Sequence, residues 1–101
     1  MAVGVLMMMP GLKQEQYEQV NEKMFGRSSV DPADAPSGLL VHSAGPTQDG
    51  WYVYDIWESK EDFERFGQEK VAPAVQEVMG TDMSSSPPPQ FFEIANFVKA
   101  G

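Results

Sequence analysis

The chain predicts an α+β fold of element order βαββαβ, in which a four-stranded antiparallel sheet carries two helices on one face. Three observations predict it. Apolar or alternating runs of strand length occur at 2–9, 39–44, 51–57 and 91–98. Stretches with helical spacing lie between the first and second of these runs and between the third and fourth. Asp49-Gly50 is a hairpin-turn dipeptide between the middle two.

Each element has a local reason. Residues 2–9, Ala-Val-Gly-Val-Leu-Met-Met-Met, form a short continuous apolar run of the kind buried on both faces, and Pro10-Gly11 ends it. Lys13 to Phe25 is predicted helical: Tyr17, Val20 and Met24 fall at i, i+3 and i+7, Glu15 and Glu18 suit its early turns, and Gly26 stops it. Lys13 sits where Ser, Thr or Asp would cap. Arg27 to Ser37, with Asp31-Pro32 and Ala35-Pro36, is a loop. Ser59-Lys60-Glu61-Asp62 resembles a capping box and starts a second helix, whose stripe runs through Phe63, Phe66, Val71, Ala74, Val75 and Val78. Pro73 bends that helix or divides it. Ser84-Ser85-Ser86-Pro87-Pro88-Pro89 reads as a stiff exposed connector to a last strand, Phe91 to Val98.

With 101 residues the chain is expected to be a single domain over 1–101. A formal charge of −8 argues against nucleic acid and anionic membrane surfaces as partners. With no cysteine and one histidine, thiolate nucleophiles, disulfides and clustered metal ligands are not expected. No Gly-rich phosphate loop precedes a helix, and no serine sits in a nucleophile-elbow context. The expectation is a cytoplasmic protein without cofactor or metal.

The segment 38–59 carries the chemistry. Trp51, Val53, Asp55 and Trp57 share one face of a strand, and His42 lies on its hairpin partner. A two-residue turn at Asp49-Gly50 places His42 opposite Trp57, and a loop two residues longer places it opposite Asp55; both keep His42 on the same face, whereas a loop with one residue more or fewer moves it to the other. This face is expected to be the helix-free one, together with Leu40, His42 and Ala44. Exposing it would be costly, at about 25 cal/mol per Å², so a homodimer is expected to enclose it.

The runs Pro10-Gly11-Leu12, Glu15-Gln16-Tyr17, Gly38 to His42, Gly45-Pro46-Thr47, Asp49-Gly50-Trp51, Asp55-Ile56-Trp57-Glu58-Ser59 and Phe63-Glu64-Arg65-Phe66 resemble small dimeric α+β barrel proteins related to antibiotic biosynthesis monooxygenases. The resemblance spans nearly the whole chain and implies the ferredoxin-like dimeric α+β barrel fold. Characterised members of that family include cofactor-free oxygenases of aromatic polyketides, haem-degrading enzymes, polyketide cyclases and stress-response proteins, while the subtype resembled here has no defined function. Lys13 replaces the usual capping Thr, and Ala95-Asn96 stands where relatives often carry His-Asn. Haem is disfavoured because the histidine is on a strand.

These residues suggest a cofactor-independent monooxygenase or cyclase-like enzyme. Its substrate, a small aromatic or polyketide-type molecule, is expected between helices and sheet or in the dimer interior. His42 would be the base and Asp55 its orienter. Trp51, Trp57, Tyr54 and Tyr17 would contact the substrate. Tyr17, Tyr52 and Tyr54 also fit packing at the helix–sheet boundary, and the Trp residues fit plain core packing. The alternative is a non-catalytic small-ligand-binding or stress-related dimer.

Overall fold

The computed structural model describes residues 2–80, 87–98 and 100. Strand β1 spans Val3–Pro10, helix α1 Gln14–Phe25, β2 Leu39–Pro46 and β3 Gly50–Trp57. Helix α2, Lys60–Phe66, runs through a π-helical segment, Gly67–Val71, into α3, Ala72–Met79, and β4 covers Gln90–Glu93. The strands order β2-β3-β1-β4, all pairs antiparallel. This is the ferredoxin-like α+β fold.

Local chemistry explains the boundaries. A lysine ammonium has no lone pair with which to cap, so the start of α1 relies on Gln16, whose Oε1 accepts the Lys13 N–H at 2.9 Å. Gly26 closes the helix at φ 78°, a left-handed conformation that glycine adopts without strain. Ser59 caps α2 as its sequence context suggests, its Oγ accepting the Asp62 N–H at 3.2 Å. Pro73 leaves the second helical element continuous, with Val71 and Ala72 in right-handed helical conformation; what changes there is the hydrogen-bond pattern, from the π turn Gly67–Val71 to the α turns of α3. Of the connector before β4, residues 81–86 lie outside the described residues; Pro87 and Pro88 are exposed.

The last strand is shorter than Phe91 to Val98. Its ladder pairs Gln90–Glu93 with Val3–Leu6, and one further bond, from Ile94 N to Ala2 O at 3.1 Å, ends it where the β1 ladder begins. Without a partner strand, alternation alone holds no residue in a sheet.

A larger correction concerns the two sheet faces. Trp51, Val53, Asp55 and Trp57 are all buried, and their face is the helix-covered one. Trp57 meets Phe63 and Phe66 from α2, and Trp51 meets Tyr17 from α1. The helix-free face carries Leu6, Met8, Val41, Tyr52, Tyr54, Ile56 and Phe92, of which Phe92 is exposed and the rest half-buried. Both faces of β3 are aromatic and β-branched, so alternation sorts its residues into two sets without saying which set meets the helices. The bulkier set, with both tryptophans, goes under them. On the open face Tyr54 lies over Gly4: a Cβ there would stand 2.6 Å from the Tyr54 hydroxyl oxygen.

The core centres on Val5, Trp57 and Phe63, with Val3, Met7, Leu39, Phe66 and Phe91 around them. Phe63 sits edge-on between Trp57 and Phe91, at ring-centroid distances of 5.8 and 5.7 Å. Phe63→Ala is expected to cost about 3–5 kcal/mol, the range for emptying a buried aromatic site. Chemical denaturation measures this, and a loss under about 1 kcal/mol would place the centre of the core elsewhere.

Candidate functional site

The hairpin sets the register on which the site depends. Pro46 pairs with Trp51 across a four-residue connection, with Thr47 N bonded to Gly50 O at 2.9 Å. His42 therefore lies opposite Asp55, as the longer loop requires. A bulge at Leu40 shifts the ladder before Val41, so Leu39, not Leu40, joins the buried face opposite Trp57.

His42 Nδ1 lies 2.7 Å from Asp55 Oδ1, and His42 Nε2 lies 2.6 Å from the Tyr17 hydroxyl. An ionised carboxylate only accepts hydrogen bonds, so Nδ1 carries the hydrogen and Nε2 accepts from Tyr17. Trp57 Nε1 donates to the other Asp55 oxygen at 3.3 Å. The Asp55 side chain is 7% exposed and that of His42 is 25% exposed. Three elements thus deliver one polar chain: α1 supplies Tyr17, β2 His42, and β3 Asp55 and Trp57.

The chain of bonds forms part of the wall of a cavity of about 200 Å³ between the helices and the sheet. Met7, Met9, Val53 and Trp57 floor it from the sheet. Val20, Asn21 and Met24 line it from α1, on the same stripe as Tyr17. Phe66, Val71, Val75 and Met79 close the far side, and Val30 and Pro36 come from the 27–38 loop. That loop is tied by Arg27, which pairs with both Asp31 and Asp34.

The residues expected to form the site divide on inspection. His42, Asp55, Tyr17 and Trp57 come together in the cavity wall. Trp51 is not among its lining residues; it backs Tyr17, ring centroids 5.1 Å apart, and its Nε1 is buried without a partner among the described residues. Tyr54 stands on the opposite face of the sheet. Asn21 was not anticipated. It is 1% exposed and donates to the Ser28 carbonyl at 3.1 Å. Its position four residues after Tyr17, within the apolar stripe, was the available signal.

Burial pushes the Tyr17 hydroxyl above the ordinary phenol value; a hydrogen bond with Asn21 pulls the other way, and the charge of Asp55 adds to the rise. Tyr17 is therefore held as the neutral phenol. Among the described residues no group of three or more His, Cys, Asp or Glu is placed to hold a metal ion, and no helix is long and apolar enough to cross a membrane.

A small ferredoxin-like α+β protein with an apolar cavity and a tyrosine–histidine–aspartate chain in its wall is the class that fold and site define. Among solved structures, it is similar to a monooxygenase from the gene ActVA-Orf6 of Streptomyces coelicolor, in complex with the ligand Nanaomycin D. The match has a TM-score of 0.54 and 17% identity, and covers 99% of this chain and 92% of that one. At this identity the likeness shows the fold. No protein-family model matches the chain, and no curated protein matches it.

The raised Tyr17 value predicts a pH dependence. In the unfolded chain Tyr17 ionises around 10.0, and in the folded protein only above that. Its contribution to stability is thus complete below 10.0 and is lost as pH rises through the higher folded value. Equilibrium unfolding across this alkaline range is expected to show a steeper loss for the wild type than for Tyr17→Phe. Equal slopes would mean that the Tyr17 hydroxyl is not in a perturbed environment.

Proposed function

We propose that the chain is a cofactor-independent monooxygenase or cyclase-like enzyme of the antibiotic biosynthesis monooxygenase type. Its substrate would be a small aromatic or polyketide-type molecule in the cavity between helices and sheet. One observation carries the reading: a histidine oriented by a buried carboxylate is set in the wall of an otherwise apolar cavity. The site lies within one subunit, so the dimer interior is not needed to build it.

In this reading His42 is the base, and Asp55 fixes its tautomer and stabilises the imidazolium that forms. Removing the proton of a phenol or enol leaves an electron-rich carbon. Dioxygen is the oxidant: one oxygen atom bonds to a ring carbon, the other leaves as water with the hydrogens of that carbon and of the hydroxyl, and a phenol becomes a quinone. The electrons come from the substrate alone, so no reductant is consumed. A ring-closing aldol step would use the same base and need no oxidant.

Size narrows the substrate. A cavity of about 150 Å³ lined by apolar side chains accommodates benzene, so a space of about 200 Å³ suits one or two rings. A monooxygenase of the same fold with an organic ligand bound supports this class of molecule. The expected location is cytoplasmic. A homodimer is part of the same proposal, with the interface moved to the helix-free face, where Leu6, Met8, Tyr52, Tyr54 and Ile56 form a half-exposed apolar surface.

Two measurements test this. Oxygen uptake with one- and two-ring phenols such as 1-naphthol is expected to fall at least about 100-fold in His42→Ala, with the thermal transition retained; unchanged turnover would sink the assignment. Sedimentation at micromolar concentration is expected to give a dimer, and a monomer would remove the proposed interface.

A further inference from the structure

We propose that Tyr17, not His42, is the catalytic residue that touches the substrate. The substrate arrives as a neutral phenol or enol and passes its proton to the Tyr17 hydroxyl oxygen while Tyr17 passes its own to His42 Nε2. The inference rests on the catalytic reading above and assigns the contact within it.

Histidine has two ring nitrogens, and both are engaged here. Nδ1 is held by Asp55 at 2.7 Å and Nε2 by Tyr17 at 2.6 Å. In the neutral ring with Nδ1 protonated, Nε2 holds the only basic lone pair, and the Tyr17 hydroxyl already occupies it. A substrate in the cavity therefore meets no free basic atom on His42. The Tyr17 oxygen is different. Its single hydrogen goes to His42, and of the two lone pairs of the hydroxyl oxygen Asn21 engages one, which leaves the other to accept from a substrate. Tyr17 stands on the α1 stripe that lines the cavity, beside Val20, Asn21 and Met24.

The proton count closes. The substrate X–H bond and the Tyr17 O–H bond break; a new Tyr17 O–H bond and a His42 Nε2–H bond form. The products are a substrate anion and an imidazolium paired with Asp55, with Tyr17 again neutral between them. Burial, which holds Tyr17 as the neutral phenol, suits a shuttle rather than a standing phenolate base.

The lining also favours a substrate that is neutral on arrival. None of the described residues lining the cavity is lysine or arginine, and Asp55 is the carboxylate among them. The residues that line the cavity from α2, the π segment and α3 are Phe66, Val71, Val75 and Met79, which do not titrate. A ligand already carrying a carboxylate would enter an apolar space without a counter-ion, close to a negative charge.

The test uses 4-nitrophenol, whose phenol and phenolate forms absorb at different wavelengths. At about one pH unit below the free probe's own ionisation midpoint, probe bound to the wild type is expected to absorb as phenolate. In Tyr17→Phe, which keeps the ring against Trp51, the bound phenolate-to-phenol ratio should fall at least about tenfold. If Tyr17→Phe keeps the wild-type spectrum while His42→Ala loses it, His42 contacts the probe directly; the inference then fails and the proposed function stands. If neither substitution alters the spectrum, or the wild type does not bind the probe at millimolar concentration, both fail. Replacing Tyr17 by 3-fluorotyrosine covers a Tyr17→Phe that does not fold. A more acidic hydroxyl donates a stronger hydrogen bond to bound phenolate, so the phenolate fraction should rise; an unchanged fraction overturns the inference.

Discussion

Trp57 ties the core of this protein to its site. The residue is fully buried at the end of the strand that runs between β1 and β2. Its ring meets Phe63 edge-on and Phe66 at a tilt, and so fixes where α2 lies on the sheet. Its Nε1–H bonds Asp55, the carboxylate that holds His42. Burying an indole N–H without an acceptor costs free energy, as does burying a carboxylate without donors for its oxygens. Here each supplies what the other lacks, so the packing that stabilises the sheet also orients the polar chain.

That chain would be a liability in a domain of this size if it were half-made. Burying a carboxylate without partners costs several kcal/mol, comparable to the whole stability of a small domain. The structure satisfies it from both sides: Trp57 and His42 donate to Asp55, and Tyr17 takes the remaining nitrogen of His42. The members come from α1, β2 and β3, so these bonds also register the first helix against the hairpin.

Two irregularities shape the cavity. The bulge at Leu40 turns Leu39 inward, where it lines the space beside Trp57. The π turn before Pro73 runs into α3 without a break, and Val71 and Val75 line the same wall. The methionines Met7, Met9, Met24 and Met79 add unbranched, polarizable side chains to a lining that also holds stiff valines, which suits flat ligands of varied outline.

Much of this was legible in the residue order. Punctuation by Pro10-Gly11, Gly26 and Asp49-Gly50, with periods that change from two to about 3.6, determined the βαββαβ order and hence the fold class. The same alternation put Asp55 and Trp57 on one face, and His42 joins them for either of two loop lengths that differ by two residues; the hairpin register that settles it belongs to the tertiary structure. Tertiary structure alone decided which face the helices cover, since β3 is apolar on both sides and the choice depends on how two tryptophans fit beneath α1 and α2. It alone decided that Tyr17 reaches His42 and that Trp51 stands behind Tyr17, because a helix stripe read from sequence carries no azimuth relative to the sheet. It also ended the last strand at Glu93: a strand persists only as far as its neighbour offers hydrogen bonds, and that neighbour is distant in sequence.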